Sequence, residues 1–423
     1  MRRRIPISLW LGTQRLPRDA EALRRVQKNR LGQLLDFAGR HSPYYRNLYP
    51  PACRPALSDL PLLTRAALRD RLREIATVPL DAGGLYFHST SGWSGTPLRL
   101  PTNREELLFN ALLWLAVYRA HGLRPWHRQV KFAHAGMNPD KRAVRHAWLY
   151  PRRYAPAVSS PEEKVRILRE ARPQSIAGWA SLLGEVAFQL ERENARLRIP
   201  LLFSASDMLW PSLRARIEER LGGRVVDIYG SIETGPIACE CRQGRGYHVR
   251  SDFVLVELLD DQARPARAGR VVCTVLWRRM VPLIRYELGD YAEWADEPCP
   301  CGSPLPLLGR LHGRHQDLWR LPSGQWISSG ALEETLIGDV PGIRVFQFIR
   351  EAEDRVRLQL VTTDAFPAEA ERAITERFRG RFGAVWALQV ERVASIEKRP
   401  GEKFTPFVDR TGRPASAVDP GRP

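Results

Sequence analysis

The sequence predicts an α/β protein. A large N-terminal domain of parallel-sheet layers carries a small β section, and a small mobile α+β C-terminal domain follows it. Two observations support this prediction. Short apolar strands alternate with helices up to about residue 229, the pattern of βαβ units with a parallel sheet. After residue 245, apolar and alternating runs follow one another without helices between them, which indicates antiparallel β structure.

Helices and strands follow in regular order in the first part of the chain. A helix is predicted over residues 17–48 and is broken at the Ser-Pro step at 42–43. Thr64, Thr102 and Ser160 are hydroxyl residues placed to cap the helices that follow them. Strands are predicted at 129–134, 175–179, 201–204 and 225–229, and helices at 104–121, 161–171, 182–197 and 211–221.

The second part of the chain has a different order of predicted elements, with strands that follow one another before a smaller α+β unit. Strands are predicted at 253–259, 269–276 and 283–286, and a smaller α+β unit begins near residue 314. That unit is expected to contain strands at 326–327, 345–350, 356–361 and 386–390 and helices at 331–336 and 368–382. The predicted domains are therefore 1–313 and 314–410, with a disordered Pro/Gly/Arg-rich tail at 411–423.

The charge is strongly positive. The 423 residues include 65 Lys and Arg, for a formal net charge of +18. Three explanations of this charge are possible: a solvated basic surface, attraction to anionic ligands or membrane surfaces, and association with nucleic acid. No nucleic-acid recognition motif or basic arm is found, so no specific nucleic acid is expected as a partner. Neither an apolar run of 18 residues nor a signal peptide is found, and a cytoplasmic location is predicted.

A glycine- and hydroxyl-rich loop follows the apolar run 85–87. Backbone N–H groups beside glycine can approach an anion closely, and hydroxyls add donors, so the loop suits a polyphosphate. An ordinary surface turn is the alternative. The loop lacks the Gly-Lys-Ser/Thr ending of a Walker-type site. Its candidate ligand-binding residues are Thr90, Ser91, Gly92, Ser94, Gly95 and Thr96.

A second constellation follows the strand at 225–229. In the segment Tyr229-Gly230-Ser231-Ile232-Glu233, the aromatic ring can stack on a base, Ser231 can contact phosphate and Glu233 can hold Mg²⁺. A turn with a core tyrosine is the alternative. Further on, Asp290 follows a glycine and can take both hydroxyls of a ribose. Lys403, in a chain that otherwise favours Arg, offers a compact point charge.

These elements, in this order, resemble the adenylate-forming (ANL) superfamily, and most closely its phenylacetate–CoA ligase branch with the CapK-like members. The segments 42–46 (SPYYR) and 60–65 (LPLLTR) are similar to the opening motifs of that branch. The resemblance covers roughly residues 20–410. It implies an ATP-dependent ligase that forms an acyl-adenylate with release of pyrophosphate and transfers the acyl group to CoA or another thiol or amine acceptor. A non-catalytic basic protein of the same fold is the alternative.

The resemblance also assigns roles. The loop 90–97 would hold the β- and γ-phosphates of ATP, Glu233 would coordinate Mg²⁺, and Asp290 would bind the ribose. Tyr229 would stack on adenine, with Gly230 and Ser231 beside it. Lys403 would bridge the carboxylate and the α-phosphate, and Arg314 would contact ribose or phosphate. The chain departs from the family pattern at Trp93, Asp207, Leu288, Gln316 and Glu402.

Four Cys and His residues have the character of a metal site. Cys241, His248, Cys299 and Cys301 offer three thiolates and an imidazole, which could close a tetrahedral Zn²⁺ site. The branch carries a similar arrangement of these residues. Such a site would be structural, because four protein ligands leave no open position. Cys239 competes with Cys241 for this role, and a set of reduced free thiols is the alternative.

Overall fold

The computed structural model describes most of the chain. The described residues are 12–13, 15–50, 54–89, 98–133, 149–314, 318–320, 326–327, 332–352, 354–383, 386–396 and 406–411. The predicted phosphate loop at 90–97, Gln316, Lys403 and the predicted tail beyond residue 411 lie outside them.

Most of the described α-helices lie where the sequence predicts helices, but the helix predicted at 182–197 begins at Ala180 and ends at Arg192. They are α1 (Ala20–His41), α2 (Pro43–Leu48), α3 (Arg65–Asp70), α4 (Leu72–Ile75), α5 (Arg104–Ala120), α6 (Pro161–Ala171), α7 (Ala180–Arg192), α8 (Pro211–Leu221) and α9 (Ala370–Phe382). A short π-helical segment spans Glu333–Ile337.

The described strands are β1 (Tyr86–Ser89), β2 (Arg99–Thr102), β3 (Gln129–Ala133), β4 (Arg152–Pro156), β5 (Ser175–Gly178), β6 (Leu201–Ala205), β7 (Arg224–Ser231), β8 (Gly235–Glu240), β9 (Tyr247–Val249), β10 (Val254–Leu259), β11 (Ala268–Val275), β12 (Tyr286–Trp294), β13 (Leu307–Arg314), β14 (Trp319–Arg320), β15 (Trp326–Ile327), β16 (Ile343–Ala352), β17 (Arg355–Thr362), β18 (Ala387–Arg392) and β19 (Phe407–Asp409).

Two of the three predicted helix caps are confirmed. The Thr64 hydroxyl accepts a hydrogen bond from the N–H of Ala67, and the Ser160 hydroxyl caps α6 in the same way. The Thr102 prediction is wrong. Asn103 caps α5, while the Thr102 backbone still belongs to β2 and its hydroxyl lies 3.2 Å from a Glu106 carboxylate oxygen. Asn103 lies directly before Arg104, the first residue of α5, and therefore occupies the capping position that Thr102 misses by one residue.

One predicted strand begins later than expected. Residues 283–285 lie outside β12, which starts at Tyr286. Arg285 has a φ of +50°, a conformation that interrupts a strand. Its buried guanidinium donates to the carbonyl oxygens of Ser58 and Leu60, and these contacts hold the residue in this conformation.

The chain divides into two compact units, each built from two segments. The first comprises Met1–Leu123 and Ile228–Leu311, and the second comprises Arg124–Asp227 and His312–Pro423. The predicted boundary at 313/314 instead divides the chain once, into an N-terminal and a C-terminal domain, and it stays a prediction. Among the described helices, none combines the length and apolar character that a membrane span needs.

The first unit contains the predicted antiparallel section. β7 pairs with β8, β8 with β9, β10 with β11 and β11 with β12, all antiparallel. The helices α1–α4 pack on this section through a common core that includes Leu34, Tyr45, Leu63 and Tyr286. Leu63 also joins the backbone of β12, because its N–H donates to the carbonyl of Arg285 and its carbonyl accepts from Glu287.

The second unit contains the predicted parallel layer. β4, β3, β5 and β6 are neighbours in this order and run parallel, with α6, α7 and α8 packed around them. The C-terminal segment forms a four-stranded sheet in the order β18-β17-β16-β19, with α9 against it. Trp210, which precedes α8, contacts Phe346 of that sheet with ring centroids 5.4 Å apart.

Candidate functional site

The predicted base-stacking and ribose-binding residues meet in the first unit. Tyr229 lies near the end of β7 and Asp290 lies in β12, directly after Gly289 at φ +78°. The Tyr229 hydroxyl donates a hydrogen bond of 2.7 Å to Oδ2 of Asp290. This length is typical of a bond to a charged acceptor. Both side chains are half-buried, so the pair is ordered and still open to a ligand.

The residues between Tyr229 and Glu233 form a tight turn from β7 to β8. A Cβ atom on Gly230 would lie 2.5 Å from the carbonyl oxygen of Gly235, so the turn itself requires glycine there. The Ser231 hydroxyl accepts a hydrogen bond from the N–H of Thr234. Both predicted ligand-binding residues therefore also have a local structural role in presenting Glu233.

The predicted Mg²⁺ ligand Glu233 is buried, with 5% of its surface exposed. Its Oε1 atom lies 3.0 Å from Nη1 of Arg65 and accepts a hydrogen bond of 3.4 Å from the Tyr286 hydroxyl. A buried carboxylate is stable as an anion only with such partners. The site therefore already holds a cation beside the carboxylate, and Mg²⁺ bound to Oε1 would compete with Arg65.

Arg65 is placed by rigid neighbours. It is the first residue of α3, which Thr64 caps, and Leu63 is hydrogen-bonded to the backbone on both sides of Tyr286. Sequence reasoning noted Arg65 only as part of a family-like motif and missed its contact with Glu233. The two residues are 168 positions apart, and no local signal links them.

Arg278 is a second guanidinium that the sequence did not single out. It is 2% exposed, donates through Nη1 to the Glu233 carbonyl oxygen at 3.0 Å and through Nη2 to the Pro101 carbonyl oxygen at 3.1 Å. Burial lowers the pKa of Arg278, while Glu106 and Glu233 oppose that shift. His88, at the other side of the β1–β2 hairpin, is half-buried, and burial together with Arg278 lowers its pKa.

Two other sequence-predicted residues lie in the second unit. Arg314 is exposed at the end of β13. Asp207, which stands where the family usually has Gly-Glu, has a structural contact. Its two carboxylate oxygens accept hydrogen bonds from the N–H groups of Ala180 and Ser181, at 2.5 and 3.2 Å. Trp179, the N-cap residue of α7, provides no side-chain cap, so Asp207 caps this helix from the β6–α8 loop.

The predicted metal ligands are brought together. One ligand atom from each of Cys241, His248, Cys299 and Cys301 lies within 4.8 Å of all the others. Sγ of Cys241 is 3.5 Å from Sγ of Cys299, and Nε2 of His248 is 3.1 Å from Sγ of Cys301. Zn–S bonds of about 2.3 Å in a tetrahedron put sulfur atoms about 3.8 Å apart, so the cluster has the dimensions of a zinc site.

The surroundings of the cluster also fit a metal. Nδ1 of His248 lies 3.2 Å from the carbonyl oxygen of Leu305, which favours the tautomer with Nε2 free to bind. Burial opposes ionisation of the Cys241 thiol, but the N–H of Gln243 and the neighbouring thiols outweigh it and lower the pKa of Cys241. Cys239 is different. Burial raises its pKa to about 11, and it lies outside the cluster.

Comparison with known proteins finds relatives over most of the chain. The sequence model of the CapK C-terminal domain matches residues 320–409. The chain is 26% identical to phenylacetate-coenzyme A ligase of Thermus thermophilus over 329 residues, which cover 72% of each protein. It is 20% identical to protein CapK of Staphylococcus aureus over 406 residues, covering 91% of this chain and 89% of CapK.

A solved structure shows the same fold over nearly the whole chain. The crystal structure of 2-hydroxyisobutyryl-CoA ligase in the postadenylation state, in complex with R3-HIB-AMP, superimposes with a TM-score of 0.79 at 22% identity. The match covers 94% of this chain and 91% of the ligase. The α/β fold predicted from the sequence is thereby confirmed. Over most of its length the chain is thus similar in sequence to phenylacetate-coenzyme A ligases and to CapK, and its fold is that of the solved CoA ligase.

Proposed function

We propose that the protein is an AMP-forming acid–CoA ligase. A carboxylic acid reacts with ATP to give an acyl-adenylate and pyrophosphate, and a thiol then displaces AMP to give the thioester. Relatives in both comparisons are named as CoA ligases, and the solved relative holds an acyl-adenylate. We also propose the individual site residues, Mg²⁺, zinc and the identity of the acceptor.

One observation supports the nucleotide site most strongly. Tyr229 and Asp290 form a hydrogen-bonded pair, and the short turn after Tyr229 presents the buried Glu233. An aromatic ring, a carboxylate for hydroxyl groups and a second carboxylate for a metal are the groups that an adenosine triphosphate needs. In this assignment the ring of Tyr229 stacks on adenine, Asp290 accepts from the ribose hydroxyls, and Glu233 holds Mg²⁺.

The chemistry is mainly a problem of charge. A carboxylate must approach a phosphorus atom that carries anionic oxygens, so positive charge has to be in place beforehand. Mg²⁺ supplies charge neutralisation when bound. Lys403 is assigned to the carboxylate and the α-phosphate, and Arg314 to ribose or phosphate. Arg65 adds a further cation next to Glu233.

CoA is the proposed acceptor, and a carrier thiol or an amine is the other option. The cytoplasm, where ATP and CoA are both available, is the proposed location. No part of this assignment requires a nucleic acid. The net charge of +18 is consistent with anionic substrates such as ATP and CoA.

Pyrophosphate release across a panel of aryl and alkyl carboxylic acids tests the proposal. We expect acid-dependent release with ATP and Mg²⁺, a loss of about 100-fold or more in Glu233→Gln and Lys403→Ala, and consumption of free thiol when CoA is present. The proposal is refuted if no acid gives turnover. Turnover without loss of CoA thiol would instead assign the acceptor to a carrier protein or an amine.

We also propose a structural zinc ion at Cys241, His248, Cys299 and Cys301. Zinc would supply crosslinking between the β8–β9 hairpin and the segment 299–301, and no reaction step involves it. Elemental analysis of the purified protein should give one zinc per chain. Cys301→Ser should lower both the zinc content and the melting temperature, whereas Cys273→Ser, a matched change at a buried cysteine outside the cluster, should leave the zinc content unchanged. A metal-free protein with an unaltered melting temperature would contradict this.

A further inference from the structure

We infer that Arg278 is a positioning residue for the triphosphate and metal end of the nucleotide site. Its guanidinium ties the segment that carries Glu233 to the strand that follows the predicted phosphate loop. This inference rests on the proposed function and deepens it.

One of the two carbonyl groups that Arg278 joins lies in the predicted metal-binding segment, and the other lies in the strand that follows the predicted phosphate loop. One is the carbonyl of Glu233 itself. The other is that of Pro101 in β2, which pairs with Phe87 of β1, so the contact reaches the β1–β2 hairpin. A single guanidinium is therefore hydrogen-bonded both to the backbone of Glu233 and to the β1–β2 hairpin.

The backbone that follows Arg278 is hydrogen-bonded to a buried carboxylate. The Glu106 carboxylate, in the first turn of α5, accepts hydrogen bonds through Oε1 from the N–H groups of Arg279 and Met280, at 2.5 and 2.8 Å. Glu106 is 7% exposed, so water does not compete with these bonds. A chain of contacts therefore runs from α5 through residues 278–280 to both Pro101 and Glu233.

The chemistry of the side chain matters as well as its charge. A guanidinium is planar and presents donors at fixed angles, so it can contact two carbonyl oxygens at once. Lysine keeps the charge but has a single nitrogen on a flexible stem. Replacing Arg278 by Lys therefore keeps a cation in the site and removes the fixed spacing between the two carbonyl groups.

Arg250 offers a matched control. It is also buried, at 5% exposure, and it also donates to a backbone carbonyl, that of Thr13, as well as to Asp252. It contacts neither Glu233 nor the β1–β2 hairpin through these bonds. Arg250→Lys therefore reports what a buried Arg-to-Lys change does to stability alone.

The test compares Arg278→Lys, Arg250→Lys and the unmodified chain. We expect Arg278→Lys to raise the KM for ATP, the Mg²⁺ concentration for half-maximal rate and the calorimetric Kd of ATP in the presence of Mg²⁺ at least fivefold, with less than a twofold change in the KM of the acid. Arg250→Lys should lower the melting temperature without changing these constants. An Arg278→Lys variant that loses only stability, or that shifts ATP and acid constants equally, overturns the inference.

A second variant covers the case in which Arg278→Lys does not fold. Glu106→Gln keeps an oxygen acceptor for residues 279 and 280 and weakens it, so the same ATP-selective shift should appear with smaller amplitude. Unchanged ATP and Mg²⁺ constants in a folded Glu106→Gln protein would overturn the inference. Failure of the proposed function is distinguishable, because ATP binding by calorimetry tests Arg278 even if no acid supports turnover.

Discussion

The hydrogen bond between Tyr229 and Asp290 gives the sharpest test of the nucleotide site. Tyr229→Phe removes the hydroxyl that donates to Oδ2 of Asp290 at 2.7 Å and leaves the ring that is assigned to adenine. Asp290 then loses the hydrogen bond that Tyr229 donates to it. We expect ribose recognition to weaken while base stacking persists.

The magnitude follows from the kind of bond. A hydrogen bond to a charged group contributes about 1.5–3 kcal/mol when buried, and since both side chains here are half-buried we take about 1–2 kcal/mol. That free energy corresponds to a KM for ATP raised about 5- to 30-fold. The kcat should change much less, because the contact is remote from the reacting phosphorus atom.

The assay is steady-state pyrophosphate release with ATP, 2′-deoxy-ATP and 3′-deoxy-ATP. If the hydroxyl orients Asp290 for the ribose, the mutation should cost less than about twofold with the deoxynucleotide that lacks the recognised hydroxyl. Tyr49→Phe is the control, since its hydroxyl donates to the Leu35 carbonyl within the core. An equal penalty for all three nucleotides would refute the reasoning.

Three further changes test other parts of the structure. Asp207→Ala removes the cap of α7 and should cost about 1 kcal/mol of unfolding free energy in urea; no change would assign the cap to water. Arg65→Gln frees Glu233 from a partly exposed ion pair, so half-maximal Mg²⁺ should fall about two- to fivefold, and a rise would show that Arg65 assists the metal. Burial raises the pKa of Glu333 and contacts with Ser212 only partly offset this. The folded state therefore retains the proton to higher pH than the unfolded state, and stability should fall as pH rises through that window; Glu333→Gln should abolish the fall.

The sequence predicts local structure well where the signal is local. The periods of α6 and α8 and the caps at Thr64 and Ser160 depend on neighbours within four residues, and the structure confirms them. The prediction that Thr102 caps α5 failed, because the neighbouring Asn103 is also a capping residue type and lies directly before the first residue of the helix.

The site was predictable in part. The residue types and the family-like arrangement predicted one site from Cys241, His248, Cys299 and Cys301, with Cys239 left as an alternative to Cys241. Motif order linked Tyr229 with Asp290. The roles of Arg65 and Arg278 were not predictable, because Arg278 reaches Pro101 across 177 positions and its local sequence resembles any basic loop. Because the chain contains 65 Lys and Arg residues, its composition does not distinguish Arg65 and Arg278 from the other basic residues.

The discontinuity of the first unit has a consequence for synthesis. The Tyr45 hydroxyl donates to the carbonyl of Pro282, 237 positions later, and Leu63 pairs with the backbone of β12. At about 5–20 residues per second, a ribosome needs roughly 10–50 s to make the partner of Tyr45 after Tyr45 itself. The parallel layer at 124–227 is complete before then. We therefore expect the inserted segment 124–227 to fold first. Until the second half of the first unit is made, the apolar faces of the N-terminal helices stay exposed.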